Sequence, residues 1–142
     1  MSPQWTKLPS GSQYQKSNSF TMTIKSLYFL VQEGEGFSVL SNDLLTYAAK
    51  EGYAVGGAVP AVGVYKYKND ELSFNRFKDT IVNLQRVSSD ATQVIGAWVD
   101  ADGIAYIELS DVVKSKQVAI ELARARGEKA FYDFANSETI FV

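Results

Sequence analysis

The sequence predicts an α+β fold: a mostly antiparallel sheet with two or three helices packed on one face and an extended N-terminal arm outside it. Three observations point there. Residues 93–110 (QVIGAWVDADGIAYIELS) read as two apolar strands around a turn. Residues 115–126 carry a helix cap, an apolar stripe and a closing glycine. The 142 residues, 46% hydrophobic and 13% aromatic, are enough to bury the core of one domain.

Residues 1–20 stand apart from the rest. MSPQWTKLPSGSQYQKSNSF is rich in Ser and Gln, has no acid and shows no strand or helix period. It reads as an extended arm, with 21–142 as a single α+β domain. Trp5, Leu8, Tyr14 and Phe20 are its candidate anchors on a neighbouring surface. Lys7 and Lys16 give the arm +2, which leaves −4 on the rest of a chain whose formal total is −2.

Residues 21–32 (TMTIKSLYFLVQ) read as a strand, because β-branched and aromatic residues dominate them. Glu33 to Gly36 is a turn. Ser41 or Asn42 can cap a helix starting near Asp43, with Leu44, Leu45, Ala48 and Ala49 as its stripe and Gly52 as its stop. Residues 56–63 (GGAVPAVG) are an apolar connector. Residues 64–77 (VYKYKNDELSFNRF) read as a hairpin turning at Asn69-Asp70. Tyr65, Tyr67, Leu72 and Phe74 would share its buried face, and Lys66, Lys68, Glu71 and Ser73 the other. Residues 78–88 lean to helix on the spacing of Phe77, Ile81 and Leu84, against the strand propensity of Thr80-Ile81-Val82.

The 93–110 hairpin has Asp102-Gly103 as a type I′ turn signal. That turn puts Ile95, Val99, Ile104 and Tyr106 on one parity and Trp98, Ile107 and Leu109 on the other. Strands apolar on both sides belong inside a sheet. In the helix that follows, Ser115 is the cap and Val118, Ala119, Leu122 and Ala123 the buried stripe. Glu121–Arg124 and Arg124–Glu128 are surface pairs, and Gly127 is the stop. Residues 129–134 and 139–142 are the last two strands, turning at Asn136-Ser137.

The composition excludes several kinds of chemistry. Without Cys there are no disulfides, thiolate metal sites or cysteine nucleophiles. Without His there is no Ser-His-Asp or Cys-His catalysis, and the commonest metal ligand is missing. A net charge of −2 argues against a general polyanion binder. No run approaches the ~18–20 apolar residues of a membrane span. No basic region followed by an apolar one opens the chain, so neither a signal peptide nor membrane association is expected. The expected location is the cytoplasm or a virion.

No motif assigns a catalytic, cofactor or metal site. The 56–63 glycines lack the Lys-Ser/Thr of a P-loop. Asp100, Asp102 and Asp111 suggest a calcium loop, but Ala105 stands where that loop needs glycine. Glu108, Asp111 and Asp133 are carboxylates near strand ends, with nothing in the sequence to bring two of them together. The expected function is therefore non-enzymatic: a subunit of a larger assembly, such as a phage-type virion or similar oligomer. Its arm would dock on a neighbour, and the terminal strand residues Thr139, Ile140 and Phe141 would offer an edge to a protein partner or a second copy. The alternative is a small binding module for nucleic acid or a small ligand, including an inhibitor that sequesters a host factor. Its surface would be Tyr65, Tyr67, Phe74 and Arg76.

Overall fold

A computed structural model describes residues 21–46, 51–60 and 62–142. The anchors Trp5, Leu8, Tyr14 and Phe20 lie outside the described residues. The elements are α1 (Ile24–Gln32), β1 (Phe37–Leu40), β2 (Tyr53–Val55), β3 (Val64–Lys68), a short 3-10 turn (Asn69–Glu71), α2 (Phe74–Val87), β4 (Val94–Val99), β5 (Ile104–Val113), α3 (Lys116–Ala125), β6 (Ala130–Asp133) and β7 (Glu138–Phe141). Together they make an α+β fold with three helices against one antiparallel sheet.

The seven strands run in the order β1-β4-β5-β2-β6-β7, and β3 also pairs with β5. The ten-residue β5 organises this sheet. One of its edges pairs with β4, from Ala105 to Ser110. The other edge changes partner part-way along: β3 takes Ile104 to Glu108, and β2 takes Asp111 to Val113. Between them is a seam, where the Ala58 N–H donates to the Leu109 carbonyl at 3.2 Å.

Alternation along β5 puts Ala105, Ile107, Leu109 and Val113 on one face. The first three join Leu27 and Val31 of α1 and Phe77, Ile81 and Leu84 of α2 in the main core. Val113 joins Val55, Phe131 and the α3 residues Ala119 and Ala123 in a second cluster. All three helices therefore cover the same face.

Residues 21–32 correct the strand expectation. They form α1, capped by Thr23, whose hydroxyl accepts from the Ser26 N–H at 3.0 Å. Leu27, Leu30 and Val31 are buried at helical spacing. The β-branched composition pointed to a strand, but the period of the buried positions is helical, and burial outweighs propensity. Residues 41–46 are not the start of a helix either. Leu44 has φ +60°, and Leu45 and Thr46 bridge to Thr21 and Val39, extending the sheet beyond β1. Ala48 and Ala49 lie outside the described residues. β1 and β2 are too short to carry a readable alternation and were not anticipated.

The hairpin expected at 64–77 does not form. Its first half is β3, but β3 pairs with the distant β5. After the 3-10 turn, Ser73 caps α2 by accepting from the Arg76 N–H at 3.1 Å. Residues 78–88 thus belong to a helix that starts earlier, at Phe74, with Phe77, Ile81 and Leu84 buried as their spacing required. In α3, Ser115 is the cap, but Val118 is 47% exposed and Ala119 and Ala123 carry the burial. The surface pairs are replaced too: Glu121 accepts from Gln117.

The 93–110 hairpin forms with its register one residue away from the expected one. Of its turn residues only Gly103 has positive φ (+80°), so the turn is not type I′. The Asp100 carboxylate accepts from the N–H groups of Asp102 and Ile104, each at 2.9 Å, and from the Tyr106 hydroxyl at 3.0 Å. These bonds build a longer turn in which Gly103 is the bulge. The one-residue shift pairs Trp98 with Tyr106, and Ile95 and Val99 with Leu109 and Ala105.

Candidate functional site

Charged groups gather at the seam of β5. Glu108 is the last β5 residue paired to β3, and Asp111 the first paired to β2. The chain leaving β2 turns at Gly56-Gly57, and the Gly57 N–H donates to Glu108 Oε1 at 3.2 Å. Arg126 and Glu128 arrive from the end of α3. Arg126 donates through Nη1 to the carbonyls of Val55 and Gly56, at 3.2 and 3.0 Å, and through Nη2 to Asp111. The other Asp111 oxygen accepts from Gln93 Nε2 at 3.0 Å.

Glu108 and Glu128 meet against Gly56. A Cβ on Gly56 would stand 1.7 Å from Glu108 Oε1 and 2.8 Å from Glu128 Oε1, so both carboxyls occupy the space that only a glycine leaves. Two carboxyls this close lie side by side at lower cost when one of them carries a proton. Burial first, and then the Glu128 charge, push Glu108 up to about 7, against the opposing pull of the Gly57 N–H and Lys66. Burial also raises Glu128, opposed by the Arg126 charge.

Asp111 is engaged by Arg126 and Gln93, and the two glutamates engage each other. Among the described residues no group of three His, Cys, Asp or Glu side chains is arranged to hold a metal ion. What the cluster can do chemically is exchange a proton near neutral pH beside a fixed guanidinium.

Of the carboxylates singled out in the sequence, Glu108 and Asp111 both border the seam but on opposite parities of β5, Glu108 beside Glu128 and Asp111 on Arg126, and Asp133 lies elsewhere. Asp133 is buried on β6 and accepts from the N–H of Ala135 and the side chain of Asn136. Sequence reasoning missed Arg126 and put Glu128 in a surface pair with Arg124, because their partners are remote in the chain. One local signal was available: a Glu inside an apolar strand, together with a Gly pair that permits close approach.

The residues of the expected aromatic surface lie where β3 meets α2. Tyr65 and Tyr67 stack on each other, with centroids 6.2 Å apart, on the face toward α2. Their hydroxyls bond to Asn83 and Thr80. Phe74 packs edge-on against Tyr28, and Arg76 lies 6.0 Å from the Tyr67 ring. On the opposite face, Lys66 lies 5.9 Å from the Tyr106 ring, and Tyr106 stacks on Trp98. Thr139, Ile140 and Phe141 lie on β7, which pairs with β6.

No protein-family model, curated protein or solved structure matches this chain.

Proposed function

We propose that the chain is a non-enzymatic subunit of a larger assembly, a virion or comparable oligomer, and that β7 is its contact edge for another protein chain. The open side of β7 carries the reading. Among the described residues β7 pairs only with β6, and Phe141 is 73% exposed. The Val142 N–H points inward to Lys129. Alternation then directs the N–H groups of Thr139 and Phe141 outward, where a further strand can take them. In this reading residues 1–20 supply a second contact on a neighbour.

Size-exclusion chromatography with light scattering tests it on the full chain, a chain lacking residues 1–19, and Phe141→Lys. The full chain is expected to associate, and each variant to associate less while keeping its circular dichroism. A full chain that stays monomeric, or variants that associate as the full chain does, would sink the proposal.

The row Lys66–Tyr106–Trp98 favours a second reading, as a platform for a planar anionic ligand such as a single-stranded nucleic acid. Charge reversal at Lys66 and Lys68 is then expected to weaken oligonucleotide binding and flatten its salt dependence. An absence of binding at low salt removes this reading.

A further inference from the structure

The sheet is continuous through β5 but interrupted along one of its edges. At Leu109-Ser110 neither β3 nor β2 is paired to it. Three contacts hold the chain there: Ala58 on the Leu109 carbonyl, Gly57 on Glu108, and Arg126 on the Val55 and Gly56 carbonyls. One of these depends directly on the Glu108 carboxyl. Another depends on a guanidinium within the electrostatic reach of Glu128.

We propose that Glu108 and Glu128 form a proton-operated latch on this seam: one shared proton keeps the Gly56-Gly57 corner seated against β5, and loss of that proton releases it. Two ionised carboxylates in contact repel, and Gly56 blocks the way on one side. The groups facing Glu108 are few. β3 contributes Lys66 and the segment after α3 contributes Glu128, on which Arg126 acts in turn, while Asp111 of β5 is on the other parity and is held by Arg126. The β4 residue opposite is Gly96, which has no charge, and among the described residues the β2–β3 corner offers the Gly57 N–H. Arg126 is a cation that acts on Glu128, and it already holds the Val55 and Gly56 carbonyls and Asp111. An ionised pair therefore draws Arg126 away from the carbonyls that seat the corner. The latch is independent of the assembly reading, because it lies within one chain.

Amide hydrogen exchange followed by NMR tests it in the full chain and in Glu108→Gln. Gln at 108 keeps a donor for Glu128 and an acceptor for Gly57, and it cannot ionise. After correction for intrinsic rates, the Gly57 and Ala58 amides of the unmodified chain are expected to exchange about tenfold faster at about pH 8 than at about pH 6. The same amides in Glu108→Gln should keep one protection across that range. Equal pH profiles in the two proteins, or constant protection in the unmodified chain, overturn the proposal. If Glu108→Gln does not fold, carboxyl-carbon titration of the unmodified chain decides. A midpoint near 7 that tracks the Gly57 amide shift supports the latch. Ordinary carboxylate midpoints at both residues overturn it.

Discussion

The Trp98 indole lies nearly flat against the Tyr106 ring, with centroids 4.6 Å apart and planes 14° from parallel. The contact exists because the β4–β5 register pairs these two residues, and that register follows from the turn. Asp100 closes the turn through its carboxylate, and Gly103 supplies the left-handed residue at φ +80°. Any residue with a Cβ is strained in that conformation.

Gly103→Ala is therefore expected to destabilise the protein by about 1 kcal/mol, from backbone strain alone, since nothing lies within 4 Å of the added Cβ. Urea unfolding measures this. An unchanged midpoint would mean that the turn relaxes to another form, and the near-ultraviolet signal of the stacked Trp98 would change with it.

The Glu108 carboxyl also sets a pH dependence for global stability. Its folded value, about 7, lies above the ordinary 4.5 of an unfolded chain, so the folded state binds the proton more tightly. The contribution is complete below about 4.5 and fades as pH rises through about 7. It amounts to at most about 3 kcal/mol, less what is shared with Glu128. Urea midpoints of the unmodified chain are expected to fall between these limits, and those of Glu108→Gln to fall less. Parallel curves for the two proteins would contradict the assignment.

Gly56→Ala tests the close approach from the other side. The new methyl would overlap Glu108 Oε1 and press on Glu128, so the two carboxyls must leave or the corner must lift. The expected cost is about 1–3 kcal/mol, the range for overpacked sites. Shortening Glu108 as well, in Gly56→Ala/Glu108→Ala, should recover part of it, because the clash and the lost carboxyl are one interaction. Simple additivity in a double-mutant cycle would show that the methyl is accommodated elsewhere.

Local signals in the chain were read correctly where one segment settles its own structure. Ser115 is a cap followed by apolar residues at helical spacing, and α3 follows it, whereas the Ser73 cap of α2 lay inside a segment read as a hairpin. The β4–β5 and β6–β7 hairpins have short connections, and both form. What the sequence concealed depends on partners far along the chain. Tyr65 and Tyr67 alternate with lysines as a hairpin arm would, yet β3 pairs with β5, some forty residues later. The candidate site shows the same effect. Glu108 was visible as a carboxylate, but its meaning comes from Gly56, Arg126 and Glu128, which two separate connections, β2–β3 and α3–β6, deliver to the seam. A one-residue change in turn length was enough to reassign the face of Trp98, since strand period is two.

The conversion of 21–32 into a helix has its own test. Tyr28 reaches from α1 to Phe77 of α2, with centroids 5.6 Å apart, and its hydroxyl donates to the Leu72 carbonyl at 2.8 Å. Phe77 is wholly buried and also meets Phe37 of β1 edge-on. If packing rather than propensity makes α1 a helix, removing the ring at its centre should melt α1 first. Phe77→Ala is expected to cost about 3–5 kcal/mol. Tyr28→Phe removes one hydrogen bond and should cost about 1 kcal/mol. Under conditions where Phe77→Ala remains folded, the α1 amides from Tyr28 to Gln32 should lose hydrogen-exchange protection before those of β4 and β5. Loss of protection in β4 and β5 at the same rate would mean that α1 is held by the sheet as a whole and not by its aromatic contact with α2.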